Sequence, residues 1–270
     1  MGNNLDNAAS QELEGQLFGG VASLHGRFSY LAYVPRPQVG GPSPGLIVTV
    51  HGSDYAHEEM CRFFAGLGRE TNSVVLAPLF GPPSGPRADP DGYKGLRSSH
   101  ADYDRALIEM VDEIGTRFGA RTERFCLFGF SGGAQFAHRF LYVYPERLRA
   151  VSVAAPGMVT LIHSTQPLWV GTQSLQQEFG RELNLDAIRR VKTQLLVGST
   201  DDAPHFGAAG EVAYNFAGRN RVERLESLAH NYRANGISCE THIVPGAGHD
   251  FVPLAAAAVP FLRREMQRAL

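Results

Sequence analysis

Six runs rich in β-branched, aromatic and other apolar residues, GLIVTV, SVVLAPLF, RFCLFGF, AVSVAA, TQLLVGS and SCETHIV, recur along the chain with longer segments between them. GLIVTV, a continuous apolar run, suits a central strand buried on both faces, and strands alternating with helices build a mostly parallel sheet with helices on both faces. This predicts an α/β architecture. The pattern opens differently: QLFGGVASL and RFSYLAYVP surround His25-Gly26 and read as an antiparallel hairpin, with Tyr30, Ala32 and Val34 on one face. Helices are expected over 57–71, 100–118, 221–234 and 254–269 and directly after Ser131. In the second of these, Leu107, Met110, Val111 and Ile114 make one buried stripe at three-and-four spacing. Prolines crowd the loop over 82–95, and an irregular insert spans about 156–191. No repeat and no linker divides the series, so 1–270 reads as a single domain carrying a lid-like insert at about 156–191.

Composition narrows the function classes. With 43% hydrophobic and 19% charged residues the chain can bury a sizeable core, and a formal charge of −2 provides neither a basic field for nucleic acid nor a cationic face for a membrane. Cys61, Cys126 and Cys239 are odd in number and never spaced as CxxC, so they read as buried thiols. The start MGNNLDNAASQELEG is polar and acidic where a secretory signal would be basic and then apolar, and it lacks the Ser or Thr that myristoylation favours. No apolar run approaches the roughly 18 residues of a membrane span, so no span is expected and the expected location is cytoplasmic.

One motif carries chemistry. GFSGG sets Ser131 between Gly129 and the pair Gly132 and Gly133, after a strand and before a helix, where a sharp turn can hold a hydroxyl above the carboxyl ends of the strands. The plain alternative is a serine that caps the following helix. A nucleophilic serine requires a base, and the base an orienting carboxylate. VPGAGHDF supplies His249 on a glycine-rich loop after the last strand. His138, His57, His100 and His230 fall in helical patterns and suit surface or packing roles, while His163 and His205 lie in loops near the expected cleft. LLVGSTDD offers Asp201, first off its strand, ahead of Asp202, which suits the turn; Asp250, adjacent to His249, reads as a solvated or outer carboxylate. Donors for an oxyanion are expected from the amides of Gly132 and of Ser53 in the HGSDY loop, whose His51 is expected to shape that loop through a structural hydrogen bond.

The order Ser131, Asp201, His249 and the strand pattern resemble the α/β-hydrolase superfamily along nearly the whole chain. Within it, the words VHGSDYAHEEMCRFFAGLGRETNSVVLAPLF, RFCLFGFSGGAQFAHRFLYVYPERLRAV, AAPG, YNFAGRNRVERL and VPGAGHDF are similar to the poly(3-hydroxybutyrate) depolymerase-like, or LpqC-like, hydrolases. The resemblance implies an α/β-hydrolase fold, a triad of Ser131, Asp201 and His249, and oxyanion amides at Gly132 and Ser53. Polymer hydrolysis does not follow from it. Ser53 and Asp54 stand where apolar residues are expected in relatives.

The expected reaction is hydrolysis of a carboxylic ester of a small or medium substrate through an acyl-enzyme. Lactone or thioester hydrolysis, acyl transfer and carbon–carbon bond hydrolysis could use the same triad, and a non-catalytic ligand-binding protein is the reading from another class. A pocket is expected between the strand-end loops and the insert, lined by Tyr55, Phe80, Trp169 and Phe179, with Tyr93 a further candidate. No His, Cys or carboxylate cluster has ligand spacing, so no metal and no organic cofactor is expected. The apolar face of the C-terminal helix can complete the core or a homodimer contact.

Overall fold

The computed structural model describes residues 15–21, 28–36, 40–81, 90–204 and 216–268. The His25-Gly26 turn, most of the proline-rich loop, His205 and the first residues of YNFAGRNRVERL lie outside the described residues. In chain order the elements are β1 (Gly15–Val21), β2 (Ser29–Pro35), β3 (Gly45–Val50), α1 (His57–Glu70), β4 (Ser73–Leu79), β5 (Arg97–Ser98), β6 (Ala101–Asp102) and α2 (Tyr103–Phe118). They continue with β7 (Phe125–Phe130), α3 (Gly132–Val143), β8 (Leu148–Ala154), α4 (Leu175–Phe179), α5 (Leu185–Arg190), β9 (Lys192–Gly198), α6 (Arg221–Ala234), β10 (Cys239–Val244) and α7 (Phe251–Gln267).

Eight strands form one sheet in the order β1-β2-β4-β3-β7-β8-β9-β10. β2 runs antiparallel to both β1 and β4, and every pairing from β4 to β10 is parallel. The opening hairpin is therefore the antiparallel end of an otherwise parallel sheet. β3 and β7 are buried at every position, which is why their sequences show no polar alternation.

Helices cover both faces, and the period of two along β7 shows how. Phe128 meets Phe64 of α1 and lies with Phe130 against Phe251 of α7, whereas Phe125 points the other way, onto Phe140 of α3. α1 buries Met60, Cys61, Phe64, Ala65, Leu67 and Gly68, one stripe of a helix that begins with Glu58 and Glu59 and ends with Arg69, signs that suit its dipole. α2 buries the expected Leu107, Met110, Val111 and Ile114 and stops at Gly119, whose φ of 65° is the left-handed cap that glycine adopts freely.

Three boundaries differ from the sequence reading. α2 starts at Tyr103 because Arg97–Ser98 and Ala101–Asp102 pair as a small antiparallel ribbon, leaving His100 in its turn and not in a helix. α7 starts at Phe251, before Pro253, because a proline in the first turn removes an N–H that had no helical partner anyway. The insert is not wholly irregular: α4 and α5 lie within it, each too short to show a helical period.

Candidate active site

The site stands at the carboxyl ends of the parallel strands, where the chain must leave the sheet and side chains can converge from separate segments. Ser131 follows β7 directly and has φ 54° and ψ −110°, a conformation costly for a residue with a Cβ. Its N–H donates to Ala154 O at 2.8 Å, and its carbonyl accepts from the N–H groups of Ala134 and Gln135 at 3.1 and 3.2 Å, so strand and helix both hold the turn. The flanking glycines are required by close approach. A Cβ on Gly129 would lie 2.1 Å from Gly133 O, and one on Gly133 would lie 2.0 Å from Val50 O. The Ser131 side chain makes no helix-capping bond. It faces His249 instead, with Oγ 2.9 Å from Nε2.

His249 reaches Ser131 because the loop after β10 folds back over the end of β9. Gly198 permits this: a Cβ there would lie 2.3 Å from the carbonyls of both Ala247 and Gly248. Thr200 fastens the two loops, its N–H and hydroxyl each donating to Ala247 O at 2.9 Å. The imidazole stacks on Phe130, with centroids 4.9 Å apart, and its Nδ1 meets Asp201 Oδ2 at 2.8 Å. With Asp201 as acceptor, Nδ1 carries the proton and Nε2 is left to accept from the Ser131 hydroxyl.

Asp201 is 6% exposed, and its own N–H donates to Gly198 O at 3.1 Å. Its second oxygen, Oδ1, accepts from Arg221 Nη1 at 3.1 Å. Burial pushes the Asp201 carboxyl up, but the hydrogen bond from His249 and the charge of Arg221 outweigh it and hold the group below its ordinary value. Asp202 is exposed, and Asp250 turns its Oδ2 to the Gly248 N–H at 3.3 Å. Arg221 did not emerge from the sequence. It opens α6, and only its place at the start of a helix after a strand-end loop could have hinted that it points back to the acid.

The loop after β3 closes the site. His51 is buried, accepts from Phe80 N–H through Nε2 at 3.0 Å, and directs Nδ1 to Gly52 O at 2.6 Å. Burial lowers its pKa to about 4, so it is a neutral ring that shapes the loop. A Cβ built on Gly52 would lie 3.4 Å from Ser131 Cβ, which places this loop against the serine. Among the described residues no hydrogen-bond partner occurs for the N–H of Ser53 or of Gly132. Tyr55 has φ 58° and directs its hydroxyl to Pro90 O at 3.3 Å.

The other pocket candidates are held by ring contacts. Phe80 is 1% exposed and stacks on Phe136, so its ring fills the core. Trp169 and Phe179 pack edge to face, under Arg139 and Arg97 respectively, and fasten the insert to the body. His163 is exposed with Nδ1 3.2 Å from Thr165 Oγ1, and His138 is buried, with Nδ1 bonded to Ala134 O and Nε2 accepting from Thr160 N–H. A cavity of about 800 Å³ lies apart from Ser131, between Leu161 and α6, lined by Glu223, Glu226 and His230 among others. Among the described residues no group of three or more His, Cys, Asp or Glu could hold a metal ion, and no helix is long and apolar enough to cross a membrane.

The strand order, the antiparallel end and the turn at Ser131 define an α/β-hydrolase fold, and solved structures share it over nearly the whole chain. A poly(aspartic acid) hydrolase from Sphingomonas sp. KT-1 aligns with TM-score 0.72 at 16% identity, covering 92% of this chain and 97% of that one. LpqC, a poly(3-hydroxybutyrate) depolymerase from Bordetella parapertussis, aligns with TM-score 0.70 at 21% identity, covering 95% and 94%. An S-formylglutathione hydrolase from Agrobacterium tumefaciens aligns with TM-score 0.62 at 17% identity, covering 95% and 96%. No protein-family model matches the chain, and no curated protein sequence matches it.

Proposed function

We propose that this protein is a serine hydrolase that cleaves a carboxylic ester of a small or medium substrate through an acyl-enzyme. One observation carries the reading: Ser131 Oγ, at a strained turn, lies 2.9 Å from His249 Nε2, while His249 Nδ1 lies 2.8 Å from the buried Asp201. The hydrolase names of the structures that share the fold agree with it.

In the proposed reaction His249 Nε2 takes the Ser131 proton as Oγ attacks the acyl carbon. The carbonyl oxygen becomes an oxyanion facing the Ser53 and Gly132 amides. Collapse expels the alcohol, which receives the proton from His249, and leaves the acyl group on Oγ. Water, deprotonated by the same imidazole, then releases the acid and restores the serine. Asp201 fixes the imidazole tautomer and stabilises its charged form, and Arg221 keeps Asp201 ionised.

A chain-length series of p-nitrophenyl esters, assayed with wild type and Ser131→Ala, tests this function. The expected result is turnover by wild type and a loss on the order of 10⁴-fold or more in kcat for the variant. Equal rates in the two proteins would end the proposal.

A further inference from the structure

The proposed oxyanion donors sit on two separate pieces of chain, Ser53 on the loop after β3 and Gly132 at the start of α3. Such donors act only if they stand within about 2.7–3.1 Å of the place where charge develops, so something must fix their separation. One side chain touches both pieces. The Tyr93 hydroxyl donates to His51 O at 3.3 Å, at the start of the loop that carries Ser53. On the other side, a Cβ added to Gly132 would lie 2.2 Å from Tyr93 Oη.

Tyr93 is itself firmly held. It is 1% exposed, with its ring against His51, Phe80 and Tyr103 at centroid distances of 5.1, 6.1 and 6.5 Å. Its backbone turn, Gly92–Gly95, is fastened from α3 by Arg139 Nη1, which donates to Lys94 O at 2.6 Å. Burial pushes the phenol far above the ordinary tyrosine range, so it keeps its proton.

We propose that Tyr93 is a positioning residue that braces the Ser53 loop against Gly132 and sets the spacing of the two oxyanion amides. The assignment rests on the serine-hydrolase reading above. It also accounts for glycine at 132, since a methyl group there would displace the phenol.

Tyr93→Phe keeps the ring and removes the hydroxyl. For p-nitrophenyl butyrate, kcat should fall by about tenfold or more with KM within about twofold of wild type. The inhibition constant of phenylboronic acid, whose tetrahedral adduct on the serine directs an oxygen at the same amides, should weaken by the same factor. A merely structural tyrosine would lower the melting temperature without this matched loss. As a second measurement, Gly132→Ala should cost less in the Tyr93→Phe background than in wild type, because the atom it collides with is gone. Unchanged kcat and boronate affinity in Tyr93→Phe, or a strictly additive double variant, would overturn the assignment of Tyr93 alone, provided wild type is active and Ser131→Ala is not. A wild type that neither turns over the ester nor binds the boronate would overturn both this assignment and the proposed reaction.

Discussion

At Asp201 one carboxylate serves two partners, His249 through Oδ2 and Arg221 through Oδ1. Arg221 is 14% exposed and Asp201 5% at the side chain, so the pair is only weakly screened by solvent. Because the folded Asp201 carboxyl titrates below its ordinary value of 3.8, its ionised form stabilises the fold above that pH. That contribution is lost as pH falls through the lower folded value. Arg221→Gln removes one of the causes holding the group down. Urea unfolding should show the variant less stable than wild type at pH 7, with the gap closing in strong acid; a gap of equal size at both would contradict the argument. Arg221 also marks the limit of what the sequence discloses at this scale. Ser131, His249 and Asp201 are legible from glycine-rich words and chain order, whereas a contact between residues 201 and 221 depends on how a loop folds back. Phe80 was hidden for a similar reason: its place at a strand end suggests the cleft, and only the packing of Phe136 and His51 around it reveals that the ring turns inward.

Among the elements, α1 and α3 show how the surroundings of a glycine decide its replaceability. Gly66 lies on the exposed side of α1 with open space where a Cβ would stand, so Gly66→Ala should stabilise the protein by about 0.5–1 kcal/mol through helix propensity. Gly133 is the reverse case, since its Cβ would meet the Val50 carbonyl, a backbone atom that cannot turn aside. Gly133→Ala should destabilise by at least about 1–3 kcal/mol by lifting α3 from the sheet. Denaturant unfolding of both variants checks the pair, and effects of the same sign would contradict it. Elements with several turns or continuous apolar runs were readable from sequence, and α6 matches its expected span, 221–234. The β5–β6 ribbon, α4 and α5 were not, because two to six residues are too few to establish a period.

For the whole molecule, the insert is tied to the body by many separate contacts. Arg97 forms an ion pair with the fully buried Asp104, donates to Glu178 O at 2.8 Å and covers Phe179; Tyr142 donates to Thr160 O, and Asn231 exchanges hydrogen bonds with both backbone groups of Ile162. Arg97→Met would leave Asp104 with Tyr144 as its remaining hydrogen-bond partner. The expected cost lies at the low end of about 3–5 kcal/mol, because Arg97 is partly exposed. Trp169, the chain's only tryptophan, sits in the insert and reports on it directly. Thermal unfolding followed by Trp169 fluorescence and by far-ultraviolet circular dichroism should coincide, whereas an earlier fluorescence transition would show an insert that opens on its own. The architecture as a whole was legible because buried parallel strands leave unbroken apolar runs, and the tethering of the insert was not, because its anchors lie far apart in sequence.

Everything proposed for the reaction depends on Ser131 being an activated nucleophile. The most direct test is intact mass after exposure to a fluorophosphonate, with wild type and Ser131→Ala side by side. The expected result is a single adduct on folded wild type, mapped to Ser131 by peptide mass and missing from the variant. Folded wild type that stays unlabelled, or an adduct that survives Ser131→Ala, would contradict it.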